Sequence, residues 1–331
     1  MYHSALKTSL CGMLGIEYPI IQAGMGFVAR GELAGAVSAA GGLGTIGAGT
    51  MTGEELRQEI RTVRTITDKP FAVDILFSTV AGRNVAMFSK DVEDHIEVVF
   101  EEKVPVIASG LGNPGPIVER CHQAGMKVLS LTGNTKNAVR LANSGVDAII
   151  AQGYDGGGHT GRVGSMTLLP ATIDAVDIPV IAAGGIADGR GLAAALVMGA
   201  IGVWLGTRFI ACSEAWGHDN YKRRIVEIDD EGTTRTRCFS GKPCRMIRNQ
   251  TTAAWEESTL RDQLKPFPHQ MAQVTEWLRE DPYMAGRRDG KTDIGALAAG
   301  QSSALIHDIK PAADIIAELM TQASTALSRL G

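Results

Sequence analysis

The chain has 331 residues, of which 44% are hydrophobic and 21% charged, and its formal net charge is −4. This composition is typical of a globular protein with a substantial core, and the lack of a long basic cluster argues against nucleic acid as a partner. No apolar run reaches the ~18 residues that span a bilayer, and residues 1–16 lack a secretory signal core, so we expect a cytoplasmic protein without membrane contact.

Short apolar runs alternate with amphipathic stretches between residues 19 and 210. The predicted strands cover, in chain order, residues 19–22, 44–46, 71–76, 104–108, 127–131, 148–151, 180–183 and 202–205. The predicted helices between them cover residues 31–40, 52–66, 91–102, 115–124, 137–144 and 190–198. The second of these helices begins with a capping box formed by Thr52 and Glu55.

Eight strands with helical crossovers predict an α/β fold, a TIM (β/α)8 barrel. The strands are nearly all apolar, as parallel strands buried on both faces are. An open doubly wound sheet is the main alternative.

The pattern changes after Cys212. Residues 214–293 are more charged, contain three of the four tryptophans and show helical but not strand periodicity. We therefore divide the chain into a barrel over residues 1–211, a helical insertion over the active site at 212–294, and a return to the barrel at 295–331, which ends in an amphipathic helix over 311–330.

The five cysteines are widely spaced and form no C-x-x-C pair. Neither a disulfide framework nor a zinc site is suggested, so we expect buried, inert thiols and no bound metal. The sequence leaves the oligomeric state open, with a homodimer as one candidate.

The loop after the sixth predicted strand is the most informative segment. Residues 152–161 contain several glycines around one histidine, His159, at the carboxyl end of a barrel strand. Catalytic groups of such barrels lie at this end, and an accessible imidazole that titrates near neutral pH is a suitable general base. The alternative is a mobile glycine loop with a solvated histidine.

Glycine-rich turns also follow the first, seventh and eighth predicted strands. The last two contain Gly184-Gly185 and Gly206-Thr207, at the position where barrels commonly bind a phosphate through loop amides and a short helix N-terminus. A purely structural need for positive φ in tight turns is the alternative.

These segments carry a resemblance to a known family. The chain resembles the FMN-dependent nitronate monooxygenases, formerly called 2-nitropropane dioxygenases, and is similar to the flavin-type enoyl-acyl-carrier-protein reductases that share their fold. The resemblance spans about residues 15–310, and its most specific signature is Gln152-Gly153 followed by Gly157-Gly158-His159-x-Gly161. The other segments that carry it are residues 19–26, 39–44, 181–191, 206–209 and 299–302.

The resemblance implies one FMN bound without a covalent link. His159 would be the active-site base that removes the proton α to a nitro group, or a residue that positions a nitronate or an enoyl thioester. The residues implied at the cofactor are Ala23, Gly24, Met25, Asp74, Gln152, Gly157, Gly158, Gly184, Gly185, Gly206, Thr207, Gln301 and Ser302, of which Gly184, Gly185, Gly206 and Thr207 would take the phosphate.

Two residues depart from the family pattern. Asp74 stands where asparagine is usual beside the flavin, and Asp155 replaces the common glutamate of the signature. An ionised Asp74 would repel a reduced, anionic flavin, whereas burial would raise its pKa and keep it protonated as a hydrogen-bond donor, which is the expectation we favour. The change at Asp155 concerns only loop geometry.

Three functions remain in competition. The first is oxidation of alkyl nitronates by O₂. The second is an NAD(P)H-dependent reduction of an enoyl thioester of acyl-carrier protein or CoA, or of a quinone. The third is a flavin-free barrel that binds a phosphorylated metabolite.

Among the other histidines, His95 and His122 are expected at the surface, and His218, His269 and His307 are weak candidates for the pocket.

Overall fold

The protein is a TIM barrel, as the sequence predicts. The computed structural model describes residues 2–77 and 92–329. This part of the chain contains the strands β1 (Ile20–Gln22), β2 (Gly44–Gly47), β3 (Phe71–Phe77), β4 (Val106–Gly112), β5 (Lys127–Thr132), β6 (Ala148–Gln152), β7 (Gly158–His159), β8 (Val180–Ala183), β9 (Val203–Leu205), β10 (Thr233–Thr236) and β11 (Cys244–Ile247). All except β7, β10 and β11 form one parallel eight-stranded sheet in the order β1-β9-β8-β6-β5-β4-β3-β2. A parallel bridge between Ile21 and Leu43 joins its two ends and closes the cylinder.

The helices that connect successive barrel strands cover the outside of the barrel, and the described residues form fourteen α-helices in all. They are α1 (Ser9–Leu14), α2 (Gly31–Ala39), α3 (Gly53–Ile66), α4 (Val92–Glu101), α5 (Gly115–Gln123), α6 (Thr135–Ala142), α7 (Ser165–Ile173), α8 (Gly189–Val197), α9 (Thr207–Ile210), α10 (Asp219–Glu227), α11 (Gln250–Glu257), α12 (Gln270–Leu278), α13 (Pro282–Arg287) and α14 (Ala312–Leu327). The predicted capping box begins α3, where Glu55 N donates to Thr52 Oγ1 at 3.2 Å and Thr52 N donates to the Glu55 carboxylate at 2.7 Å. The helix bounds predicted at residues 91 and 330 lie outside the described residues.

Several elements of the barrel differ from prediction, among them one strand and one helix. Strand β4 runs from Val106 to Gly112, later than the expected 104–108, because its pairing with β3 continues through Leu111 and Gly112, past a shift in register between Ile75 and Leu76. Helix α7 was not predicted, since it contains Pro170, which removes a helical hydrogen-bond donor.

Alternate strand residues face two different cores. Ile20 packs in the layer between the sheet and the helices, whereas its neighbour Ile21 belongs to the cluster that fills the barrel. The short helix α1 adds Leu10 and Leu14 to this inner cluster. The interior is therefore a packed core, so a ligand has room only at an end of the barrel.

Residues 212–294 contain the four α-helices α10 to α13 but also two strands, which corrects the expectation of purely helical structure. Strands β10 and β11 pair antiparallel, and β11 also pairs with β7, so the insertion and the glycine loop share a three-stranded sheet. Thr233–Thr236 carries no apolar alternation, which explains why periodicity missed it. Among the described residues, no helix is long and apolar enough to cross a membrane.

Candidate active site

A cavity opens at the carboxyl ends of the barrel strands, under the insertion. Its floor is formed by the loops that follow β1, β6, β8 and β9, and its roof by Tyr221, Cys244, Met246, Tyr283 and Arg287. The sequence-predicted residues that line it are Ala23, Gly24, Met25, Asp74, Gln152, Gly157, Gly158, His159, Gly184, Gly185, Gly206, Thr207 and Ser302. The fold thus brings loops from four strands together at one place.

Gln301 is the one expected site residue that does not line the cavity. Its side chain is exposed, and its backbone N–H donates to Asp155 O at 2.9 Å. The short 3-10 helix that begins at Gln301 turns Ser302 and Ser303 inward instead. Gln301 therefore fixes the segment against the glycine loop through its backbone.

The floor is rich in glycine. A Cβ added to Gly24 would overlap the carboxyl group of Asp74, so the first loop can lie this close to β3 only with glycine there. Gly184 and Gly185 have φ values of 89° and 74°, a backbone conformation that favours glycine. Exposed backbone and close approach suit a flat or charged ligand.

Backbone amides at one end of the floor have no partner in the protein. Within the described residues, the N–H groups of Gly185, Gly206 and Thr207 donate to no acceptor, although all three residues line the cavity. Thr207 Oγ1 accepts from Gly300 N at 2.9 Å, which leaves its own hydrogen available. Such a group of convergent donors is suited to bind an anion.

His159 lies on β7, and the insertion covers it. Its Nε2 is 2.9 Å from Ser240 Oγ, and its ring meets Phe267 edge-on at 5.7 Å. Burial, together with the positive charges of Lys242 and Arg287, lowers the pKa of His159 to about 4. This corrects the expectation that the imidazole titrates near neutral pH, since the sequence does not show that Ser240, 81 positions away, packs beside it; the half-buried ring still lines the cavity.

Two cations flank His159 without a carboxylate partner in the described chain. Lys242 is half-buried, with Nζ 4.3 Å from the centre of the Phe267 ring, and desolvation lowers its pKa. Arg287 donates from Nε to Ala296 O at 3.0 Å and from Nη1 to Gly26 O at 3.1 Å, both neutral acceptors. Sequence reasoning missed both residues, because an isolated basic residue in an insertion carries no local signal.

Asp74 lies on the floor and is 7% exposed. Its Oδ1 accepts from Gly110 N at 2.7 Å, and Oδ2 has no partner among the described residues. Burial raises the pKa of Asp74 to about 7, against the opposing effect of the Gly110 amide. The carboxyl group therefore titrates in the neutral range.

The remaining polar groups of the roof do not titrate near neutrality. Tyr221 donates from its hydroxyl to Ala298 O at 2.5 Å, and burial raises its pKa to about 12. Burial also raises the pKa of Cys244 to about 12, so this thiol stays protonated and unreactive. The pKa of Tyr283 is raised for the same reason. His159 and Asp74 thus remain as the candidates for proton transfer.

The other histidines lie outside the cavity. His95 was expected at the surface but is buried on the inner face of α4, with Nε2 2.9 Å from Met51 O. It stands three and four residues before the buried Val98 and Val99, a spacing that could have indicated its burial. His122 pairs with Asp147 at 3.0 Å, and His218, His269 and His307 do not line the cavity.

Comparisons with known proteins agree with this fold. The family model described as nitronate monooxygenase matches residues 7–322. A relative from Mycobacterium tuberculosis, (3aS,4S,5R,7aS)-5-hydroxy-7a-methyl-1-oxo-octahydro-1H-indene-4-carboxyl-CoA dehydrogenase, is 37% identical over 97% of both chains. FabK from Thermotoga maritima superposes with a TM-score of 0.88 at 36% identity, covering 98% of each chain. Nitroalkane oxidase from Streptomyces ansochromogenes superposes with a TM-score of 0.84 at 29% identity, covering 97% of this chain and 99% of the other.

Proposed function

The chain belongs to the nitronate monooxygenase family, a family of oxidoreductases, and from this membership we propose that it oxidises alkyl nitronates with molecular oxygen and FMN. The observation that carries the proposal is His159, which lines the cavity and is kept neutral by burial and by the charges of Lys242 and Arg287, two cations without a carboxylate partner among the described residues. A nitronate is the anion formed when a nitroalkane loses its α proton. A neutral base and two positive charges suit the formation and the binding of that anion.

The cavity residues fit FMN. The glycine floor leaves space for a flat ring, and the unpartnered donors at Gly185, Gly206 and Thr207 would hold the phosphate, with Gly184 shaping their turn. The ring would be contacted by Ala23, Gly24, Met25, Asp74, Gln152, Gly157, Gly158 and Ser302. Bound FMN supplies the electron transfer between substrate and oxygen. Absorbance of the purified protein in the flavin range tests this against a flavin-free barrel that binds a phosphometabolite.

The protein supplies the proton acceptor. Ser240 donates from Oγ to Lys242 O at 3.3 Å, so it accepts from Nε2–H of His159. This tautomer leaves the basic lone pair on Nδ1, which takes the α proton of a neutral nitroalkane. The positive charges of Lys242 and Arg287 then stabilise the resulting nitronate anion, while the insertion excludes bulk water.

The phosphate assignment is tested at Gly206. Its φ of −99° suits any residue, and an added Cβ would meet protein atoms only at 3.7 Å. Gly206→Asp places a negative charge beside the phosphate and is expected to weaken FMN binding about tenfold to a hundredfold, measured as a Kd by fluorescence quenching.

Gly206→Asn is the matched control, since it has the same shape without the charge and should bind FMN far better than the aspartate variant. Equal FMN affinity of the two variants would place the phosphate elsewhere. Gly185→Val is a weaker test, because the positive φ of Gly185 strains any side chain there.

The role of the cations is tested at Lys242. Lys242→Met keeps the apolar stem against Phe267 and removes the charge. We expect kcat/KM for an anionic nitronate to fall about tenfold, with a much smaller change for the neutral nitroalkane. Because the positive charge lowers the pKa of His159, its removal should also move the acidic limb of the pH profile to higher pH. A uniform fall for both substrates with an unmoved limb argues for a structural role only.

A second function is favoured by the relative that is named as a CoA dehydrogenase and by the superposition on FabK. The same cavity would then take a CoA or acyl-carrier-protein thioester, with NADH or NADPH as the redox partner. Under both functions we propose residues 212–294 as an inserted unit that roofs the barrel of residues 1–211, with residues 295–331 returning to it.

A further inference from the structure

The outer face of the small three-stranded sheet carries like charges directly opposite each other. Arg235 on β10 and Arg245 on β11 are cross-strand partners in the antiparallel ladder. Both guanidinium groups lie over the ring of Tyr154, at 5.3 Å for Arg235 and 4.6 Å for Arg245. Like charges in this position destabilise a sheet.

Within the described part of the chain, no carboxylate pairs with either arginine. Arg245 is 3% exposed and donates at 3.2 Å to Tyr154 O and to Thr233 Oγ1, and Arg235 donates to Thr160 Oγ1 at 3.2 Å. All of these acceptors are neutral. The nearby acidic side chain, Asp155, is occupied by Ser165 N at 2.8 Å.

Two exposed arginines extend the positive charge. These are Arg162 and Arg237. Burial of Arg235, together with the positive charges of Arg162, Arg245 and Arg237, lowers the pKa of Arg235. Among residues 2–77 and 92–329, the ion pairs involve other basic residues, so none of these four arginines has an anionic partner. Arg162, Arg235, Arg237 and Arg245 form what we call the arginine cluster.

The arginine cluster and the active site lie on opposite sides of strand β11. On β11, Cys244 and Met246 line the cavity, whereas Arg245 between them faces the other side toward Tyr154. Thr160, which Arg235 contacts, directly follows His159 in the chain. A ligand long enough to leave the cavity past this loop would meet the cluster.

We propose that the arginine cluster binds the phosphate groups of an adenosine tail, carried by a CoA thioester substrate or by NADPH, while the reactive end of that molecule enters the cavity. A guanidinium group donates paired N–H bonds to phosphate oxygens and stacks on aromatic rings. The accessible Arg162, Arg235 and Arg237 would contact the phosphates, and the buried Arg245 would add only its charge. The inference rests on the second proposed function, in which an extended thioester or a nicotinamide nucleotide reaches His159.

The experiment measures binding of adenosine 3′,5′-bisphosphate to the FMN-loaded enzyme by calorimetry, with adenosine as the uncharged comparison. In the double variant Arg162→Gln/Arg235→Gln we expect the Kd to rise about tenfold or more. Arg140→Gln is the matched control, because Arg140 is an exposed arginine on α6 and the change removes the same charge away from the cluster. If the double variant does not fold, Arg162→Gln alone serves, since this exposed residue makes no hydrogen bond within the described chain.

Separate arms identify the source of the phosphate. A loss of affinity in the double variant for CoA but not for dephospho-CoA assigns the cluster to the thioester, and a loss for NADPH but not NADH assigns it to the reductant. If the wild type binds neither the bisphosphate nor NADPH, or if the double variant binds both as tightly as the wild type, the proposal is overturned. Turnover of a small nitronate by the wild type is measured in parallel, so that failure of the proposed oxidation is recognised independently of phosphate binding.

Discussion

His159→Asn is expected to keep its bound flavin and to lose about 10²- to 10⁴-fold in turnover of a neutral nitroalkane, the usual cost of losing a general base. The loss on a preformed nitronate should be smaller, because that substrate has already released its proton. Asparagine is polar and uncharged but too short to replace the Nε2 contact to Ser240, so retained flavin absorbance is the check that the variant is folded. Steady-state kinetics on the two substrates measure the difference.

The pH dependence gives a second measure of the same residue. The active form of His159 is the neutral imidazole, so kcat/KM for the nitroalkane should fall as pH is lowered through about 4, the pKa to which burial and the neighbouring cations bring it. Ser240→Ala is the matched control, since it removes the contact that fixes the tautomer while keeping the base, and its loss should be smaller. Equal losses on nitroalkane and nitronate in His159→Asn would mean that His159 binds substrate and does not abstract a proton.

Asp74→Asn is expected to change the flavin reduction potential in a pH-dependent manner. With a pKa of about 7, Asp74 is mainly protonated at pH 6 and mainly ionised at pH 8. A unit negative charge within ~5 Å of the flavin, at an effective dielectric constant of ~20, contributes about 3 kcal/mol, or about 70 mV for a two-electron couple. The ionised carboxylate disfavours the reduced, anionic state, so its removal raises the potential.

Potentiometric titration of the wild type and the variant at pH 6 and pH 8 tests whether Asp74 changes its protonation state between these values. The variant and the wild type should have nearly equal potentials at pH 6, and the variant should be higher at pH 8. Asp155→Asn is the control, because that carboxylate does not line the cavity and should show no such divergence. A constant difference at both pH values contradicts titration of Asp74 in this range.

The barrel and its floor could be predicted because their signals are local. Buried parallel strands are short apolar runs, and a turn that needs positive φ, as at Gly184, requires glycine whatever the distant residues are. The capping box of α3 involves only residues three positions apart. Each of these features can therefore be predicted from residues that are close together in the sequence.

The roof could not be predicted, because it depends on contacts between residues that are far apart in the sequence. Strand β10 pairs through polar threonine and arginine residues, which have no apolar period, and β11 reaches β7 across 85 residues of sequence (Cys244 opposite His159). The low pKa of His159 follows from that pairing, since it brings Lys242 beside the imidazole and removes water. Sequence reasoning therefore identified His159 as a residue of the cavity but did not predict the low pKa of its imidazole.

The most direct measurement of the central claim is an anaerobic stopped-flow comparison of the FMN-loaded enzyme with an alkyl nitronate, with NADH and with NADPH. The proposed oxidation predicts that the nitronate alone bleaches the oxidised-flavin absorbance and that oxygen then restores it, with nitrite released. Rapid bleaching by NADH or NADPH with no response to the nitronate would contradict nitronate oxidation and assign the enzyme to thioester or quinone reduction.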